Sequence, residues 1–275
     1  MKLLYGLLLL LCSNMLNALD IKQAHNFKEV YQIIANKNFD PSKTMLAIDI
    51  DLTLTIANHP ALDLPNYLQH KKIFERIIKG LSALEIEKMF THGIMLAGQS
   101  ILDPDSLDVV EKFKQQGFRP IGFTASIIGP LSGIKAIETM RTQTLDILGF
   151  KFKDALVQKK ISLEEIPPYN NQVPMYYKGV LFANGGRAPH NKGDVITAFL
   201  KKTEQKPKVF IIIDDRRKNI EEIGQALKDY DPGIDVLGIE YTYAHGLTKG
   251  LLSAEEFERF WQTIRQQLVD AKDIK

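Results

Sequence analysis

A chain of 275 residues is long enough for one large domain, or for a domain carrying an insert. With 45% apolar and 25% charged residues it has the make-up of a folded globular protein, which excludes a disordered chain. A formal net charge of +2 and the lack of a long basic block exclude the usual electrostatic footprint of nucleic-acid binding. The short run Arg216-Arg217-Lys218 reads as a solvated helix start.

Residues 1–18 stand apart. Lys2, the apolar stretch Leu3 to Cys12 and a closing Ala18 read as a secretory signal peptide, too short to span a bilayer comfortably. Leu16 is bulkier than the small residue usual near a cut, so the cleavage position is left open. Leu11 before Cys12 argues against a lipid anchor. Removing the segment takes away Lys2 and no acid, lowering the formal charge from +2 to +1. It also takes away Cys12, the only cysteine. Disulfides, thiolate metal sites and cysteine nucleophiles are then excluded. The expected location is exported, periplasmic or secreted, with no membrane span left.

The spacing of Phe27, Val30, Tyr31, Ile33 and Ile34 predicts a helix over 20–40, closed by Pro41. A strand follows at 44–50. Residues 56–66, with Pro60 and Pro65, read as loop, and 67–91 as two helices broken at Gly80 and Ser82. The turn Asp103-Pro104-Asp105-Ser106 offers an N-cap to a helix at 106–116. A strand at 119–123, a helix at 132–148 ending at Gly149, and an irregular stretch at 150–178 come next. Val180 to Ala183 is strand-like, and Lys192-Gly193 opens a helix. Val209 to Ile213 is the clearest buried strand, followed by a helix at 218–229, a strand at 234–241 and an amphipathic helix at 253–270. Alternating strands and helices predict an α/β fold, a Rossmann-like, mostly parallel sheet flanked by helices. About 70 residues separate the first two strands, more than a simple crossover needs. An inserted, mainly helical cap is therefore expected at 56–104, within a core of 19–55 and 105–275, with 150–178 as a second small insert.

The chemistry gathers at predicted strand ends, where open α/β sheets bind ligands. Asp49 and Asp51 follow the first strand, and like charges this close call for a cation. Asp214-Asp215 ends the strand 209–213 in the same way. Asp49, Asp51 and Asp215 meeting across neighbouring strands would form an oxygen-only site of the kind that suits Mg²⁺. Thr124, with the backbone N–H groups from Ala125 onward, is a candidate anion site at a strand-to-helix junction. Lys192 is a candidate cation after a glycine-rich loop. The histidines at 25, 59, 70, 92, 190 and 245 lack paired ligand spacing, though His190 lies near Lys192. There is no Gly-x-Ser-x-Gly elbow and no phosphate-binding loop of the Gly-x-x-x-x-Gly-Lys type. Tyr169, Tyr176 and Tyr177 could line a pocket, with packing as the default.

Asp49-x-Asp51-x-Thr53, then Thr124, Lys192 and Asp214-Asp215-x-x-x-Asn219, in this order, resemble the four motifs of the haloacid dehalogenase superfamily. The resemblance covers residues 45–219 and implies that superfamily's core fold and phosphatase-type chemistry. Asp49 would be the nucleophile that takes the phosphoryl group, and Asp51 the general acid and then base. Thr124 and Ala125 would bind the phosphoryl group, and Lys192 would neutralise charge. Mg²⁺ would sit on the Asp49 carboxylate, the Asp51 backbone carbonyl and the Asp215 carboxylate, supported by Asp214 and Asn219. The expected partner is a small phosphorylated substrate. A phosphomutase, or an exported binding or host-interaction protein without turnover, is the alternative.

Overall fold

The computed structural model describes residues 19–152, 159–186 and 189–274. The expected leader, with Cys12, lies outside them. The strands are β1 (Asp20–Ala24), β2 (Thr44–Ile48), β3 (Thr55–Ala57), β4 (Gln99–Ile101), β5 (Arg119–Thr124), β6 (Ile161–Ser162), β7 (Met175–Tyr177), β8 (Val180–Phe182), β9 (Val209–Asp214) and β10 (Asp235–Tyr241). The helices are α1 (Phe27–Ala35), α2 (Leu64–Gln69), α3 (Lys71–Ile77), α4 (Ala83–Ala97), α5 (Ser106–Gln115), α6 (Ile137–Leu148), α7 (Lys192–Thr203), α8 (Arg217–Tyr230) and α9 (Ala254–Asp270).

The fold is α/β, with a mostly parallel central sheet between helices. Its strand order is β1-β10-β9-β2-β5-β8-β7-β6, parallel from β1 to β8 and antiparallel from β8 to β6. The strand period of two divides the apolar residues between the two faces. Leu46, Ile48, Ile211 and Ile213 face α1 and α5, while Met45, Ala47, Phe210 and Ile212 face α7 and α8. Helix α7 starts where Asn191 accepts the N–H groups of Gly193 and Asp194, at 2.7 and 3.1 Å.

Several expected boundaries move. The helix expected over 20–40 is strand β1 followed by the shorter α1, because Asn26 caps the N–H of Glu29 at 2.9 Å and sets a later start. The pairing of β1 with β10 is long-range and leaves no local mark. The expected loop at 56–66 contains part of β3 and the start of α2, and α6 starts at Ile137 rather than near 132. Asp105 makes no side-chain cap on α5. Asp103 instead accepts from the N–H groups of Phe27 and Asp105 and from the Tyr241 hydroxyl, at 2.7 to 2.9 Å, tying β10 to the start of α1. The described part of 150–178 includes β6 and β7, which extend the sheet edge. The break between α3 and α4 falls as expected, with Gly80 at φ +86° and a capping box between Ser82 and Glu85.

Helices α3 and α4 pack against α9 in a third apolar cluster. Trp261 is its centre, in edge contact with Phe74 and Phe90 at ring distances of 4.8 and 5.0 Å.

The hairpin between β7 and β8 turns on Lys178 and Gly179, both with positive φ, at +48° and +80°. A Cβ on Gly179 would lie 1.9 Å from the Phe152 carbonyl oxygen. Gly179→Ala is therefore expected to lower the unfolding free energy by about 2–4 kcal/mol, read from urea denaturation. A change under about 0.5 kcal/mol would show that this contact is not rigid.

Candidate functional site

Strand β2 sits at the reversal point of the sheet. From it the chain crosses to β5 and β8 on one side, then returns to β9 and β10 on the other. The carboxyl ends of β2, β5 and β9 therefore open on one crevice. Asp49 follows β2 directly and still pairs through its N–H with the Ile213 carbonyl at 2.8 Å. The chain then reverses tightly. Leu52 adopts φ +62°, and the N–H groups of Leu54 and Thr55 both donate to the Ile50 carbonyl at 2.9 Å. This reversal brings Asp51 to the same crevice as Asp49.

The centre is a buried cation. The ammonium of Lys192, 2% exposed, donates to Asp49 Oδ1 at 2.5 Å, to Asp214 Oδ2 at 2.7 Å and to the Phe123 carbonyl at 2.9 Å. Asp214 is fully engaged, since it also accepts from Asn219 Nδ2 at 2.9 and 3.1 Å and from the Arg216 N–H at 2.9 Å. Asp215 is not. Its carboxylate makes no hydrogen bond to another described residue, and the nearest cation is the exposed Arg216, at 3.9 Å.

Carboxylate oxygens of Asp49, Asp214 and Asp215 lie within 4.8 Å of one another. Burial pushes the Asp49 carboxyl up to about 7, with Lys192 pulling against it and Asp214 and Asp51 adding to it. Burial, then the charges of Asp49 and Asp214, hold Asp215 well above the usual carboxylate range. Burial alone would lower Lys192, but Asp214 and Asp49 outweigh it and raise it. The donor set fits a small hard cation: all oxygen, net anionic, with Asp215 uncommitted and Asp214 occupied by Lys192.

Asp51 has its own setting. Arg141, 2% exposed, forms an ion pair with Asp51 Oδ2 and donates to Gln99 Oε1 at 2.8 Å. Gln99 in turn donates to Asp51 Oδ1 at 3.1 Å. Thr124 Oγ1 donates to Asp51 Oδ2 at 3.4 Å and accepts from the Ser126 N–H at 3.0 Å. Arg141 and Gln99 are absent from the sequence reading. The signal for Arg141 was present: Ile137, Glu138, Arg141, Thr142 and Leu145 form the buried stripe of α6, and a cation within such a stripe needs a partner.

These groups share a cleft of about 470 Å³, lined among others by Asp49, Asp51, Thr124, Ala125, Lys192, Asp215 and Asn219. His190 does not reach it: the ring is buried and bonded to the Ala183 carbonyl at 2.6 Å. Nor do Tyr169, Tyr176 and Tyr177 line the cleft; Tyr176 stacks on Phe199 in the core. No described helix is long and apolar enough to cross a membrane.

Residues 23–272 match the model of a family described as "Protein of unknown function (DUF2608)". The chain belongs to that family. This overturns the placement in the haloacid dehalogenase superfamily drawn from the four motifs. Each of those motifs is only one to a few residues long, and matches this short carry a high false-positive rate. The chain is also similar to "Uncharacterized protein RP296" of Rickettsia prowazekii (strain Madrid E), at 25% identity over 201 residues, covering 72% of this chain and 69% of that protein. No solved structure matches.

Removing Lys192 leaves Asp49 and Asp214 buried without their cation. Lys192→Met is expected to cost about 3–5 kcal/mol in urea unfolding; a loss below about 1 kcal/mol would contradict the pairing. A second expectation concerns pH. Asp49 binds its proton more tightly folded than unfolded, so its stabilising contribution is complete below about 3.8 and is lost as pH rises through about 7. In chelator, thermal unfolding of the wild type should therefore lose ground to Asp49→Asn across that window. Parallel pH profiles for the two proteins would sink the assignment.

Proposed function

We propose that this protein is a Mg²⁺-dependent phosphohydrolase that cleaves phosphate monoesters through a phosphoryl group carried on Asp49. The observation that supports the reading most is the state of Asp49. It is a nearly buried carboxylate gripped on one oxygen by Lys192, with the uncommitted Asp215 within 4.8 Å and Asp51 in the same crevice. A dianionic phosphate cannot approach such an anion unless cations compensate it. Lys192 supplies one positive charge. Asp49 and Asp215 would hold the Mg²⁺, whose chemistry when bound is to neutralise charge on the phosphoryl oxygens.

In the first half, an oxygen of Asp49 forms a bond to phosphorus as the ester P–O bond breaks, and Asp51, as general acid, passes a proton to the leaving oxygen. In the second half, a water attacks phosphorus and passes a proton to Asp51. The bond to Asp49 breaks and inorganic phosphate leaves. Thr124 flanks Asp51, and Arg141 with Gln99 fixes which way the Asp51 carboxylate faces. Asp214 and Asn219 act through Lys192, holding its ammonium on Asp49.

Phosphate release from a generic aryl phosphate with Mg²⁺ tests the reading. Asp49→Asn should abolish release, Asp51→Asn should slow it about 10²–10⁴-fold, and a chelator should stop it reversibly. Undiminished release by Asp49→Asn would rule the reading out.

A further inference from the structure

One wall of the cleft has no part in phosphoryl chemistry. On α4, Ala83, Ile86, Phe90 and Ile94 recur at three- and four-residue intervals and, with Met95, line the cleft, with Glu87 and Thr91 set among them. The other side of the same helix, at Met89, His92 and Gly93, packs toward α9: a Cβ on Gly93 would lie 3.7 Å from the Phe260 ring, and His92 bonds Gln267 at 2.9 Å. Helix α4 therefore has two buried-type faces. Ile86 and Phe90 are also packed against the third apolar cluster, whereas Ile94 and Met95, both half-buried, belong to none of the three and are the part of the stripe left to the cleft. Leu62 and Ile127 extend the same apolar surface around the cleft.

Resting on the reading of the site as a phosphohydrolase, we infer that the leaving group of its substrate is apolar, an alkyl or aryl group that lies along α4 while the phosphoryl group sits at Asp49 and Lys192. The volume of about 470 Å³ lies within the range of about 300–1,000 Å³ that encloses a small organic molecule. Asp51 lines the same cleft as α4, so the leaving group it protonates and this wall share one space. A sugar laid against this wall would lose water from its hydroxyls and meet only Glu87 and Thr91 as polar side chains on α4 in return. An alkyl or aryl group would gain from the same burial.

Alkylphosphonates from methyl to hexyl, with a P–C bond that hydrolysis does not cut, read this preference whether or not turnover occurs. With the whole protein and Mg²⁺, calorimetry should show Kd falling about two- to fourfold per added methylene. Hexylphosphonate should bind at least tenfold tighter than glucose 6-phosphate. Ile94→Asn, and separately Met95→Asn, should flatten the chain-length series while leaving the Kd of methylphosphonate within twofold and the urea midpoint unmoved. A flat series in the wild type, or glucose 6-phosphate binding as tightly as hexylphosphonate, overturns the inference and leaves the hydrolase reading standing. Binding of no phosphonate also overturns it, and the Asp49-dependent release assay then shows whether the hydrolase reading falls too.

Discussion

Everything at the strand ends is arranged around one ammonium group that water does not reach. A lysine this deeply buried is tolerable only when carboxylates surround it, and carboxylates this deeply buried are tolerable only with a cation among them. Lys192 meets both conditions by joining three segments: the end of β2 through Asp49, the end of β5 through the Phe123 carbonyl, and the end of β9 through Asp214. The parallel sheet supplies the directions, because it points three strands the same way. The Asn191 cap supplies the fourth, by starting α7 where its first residue can reach inward.

The neighbouring acids Asp214 and Asp215 show how one dipeptide is divided between two tasks. Strand geometry sends successive side chains opposite ways. Asp214 turns into the protein and is consumed by Lys192, Asn219 and a backbone N–H, whereas Asp215 remains at the cleft without such partners. One carboxylate fixes the lysine, and the other stays uncommitted at the cleft. A chain with either acid alone would lack a fixed lysine or an open ligand position.

Much of this was readable before the fold was seen. The runs before Asp49 and Asp214 are continuous and apolar, which marks strands buried on both faces, and the acids stand at their ends. Thr124 is marked by its place at a strand-to-helix junction, and Lys192 by its place after a glycine-rich loop. The features that escaped are those fixed by distant partners. Strand β1 is half exposed and pairs only with β10, so its residues carry no period of their own. Gln99 lies on β4 of a small two-stranded sheet that appears only once β3 is in place. The family placement failed for a different reason: short acidic motifs report a solution to an electrostatic problem, and ancestry needs agreement over a much longer stretch, such as residues 23–272.

The seam between α4 and α9 has an implication for the order of assembly. The residues that steady α4 from behind, Trp261 and Phe260, are encoded about 170 residues downstream of Phe90. A ribosome completes every acidic strand end, from Asp49 to Asp215, before it completes that backing helix. The carboxylates of the cleft thus precede the support of its α4 wall, which is completed among the last elements of the described chain. A nascent chain would hold α4 unbacked until its final turns dock.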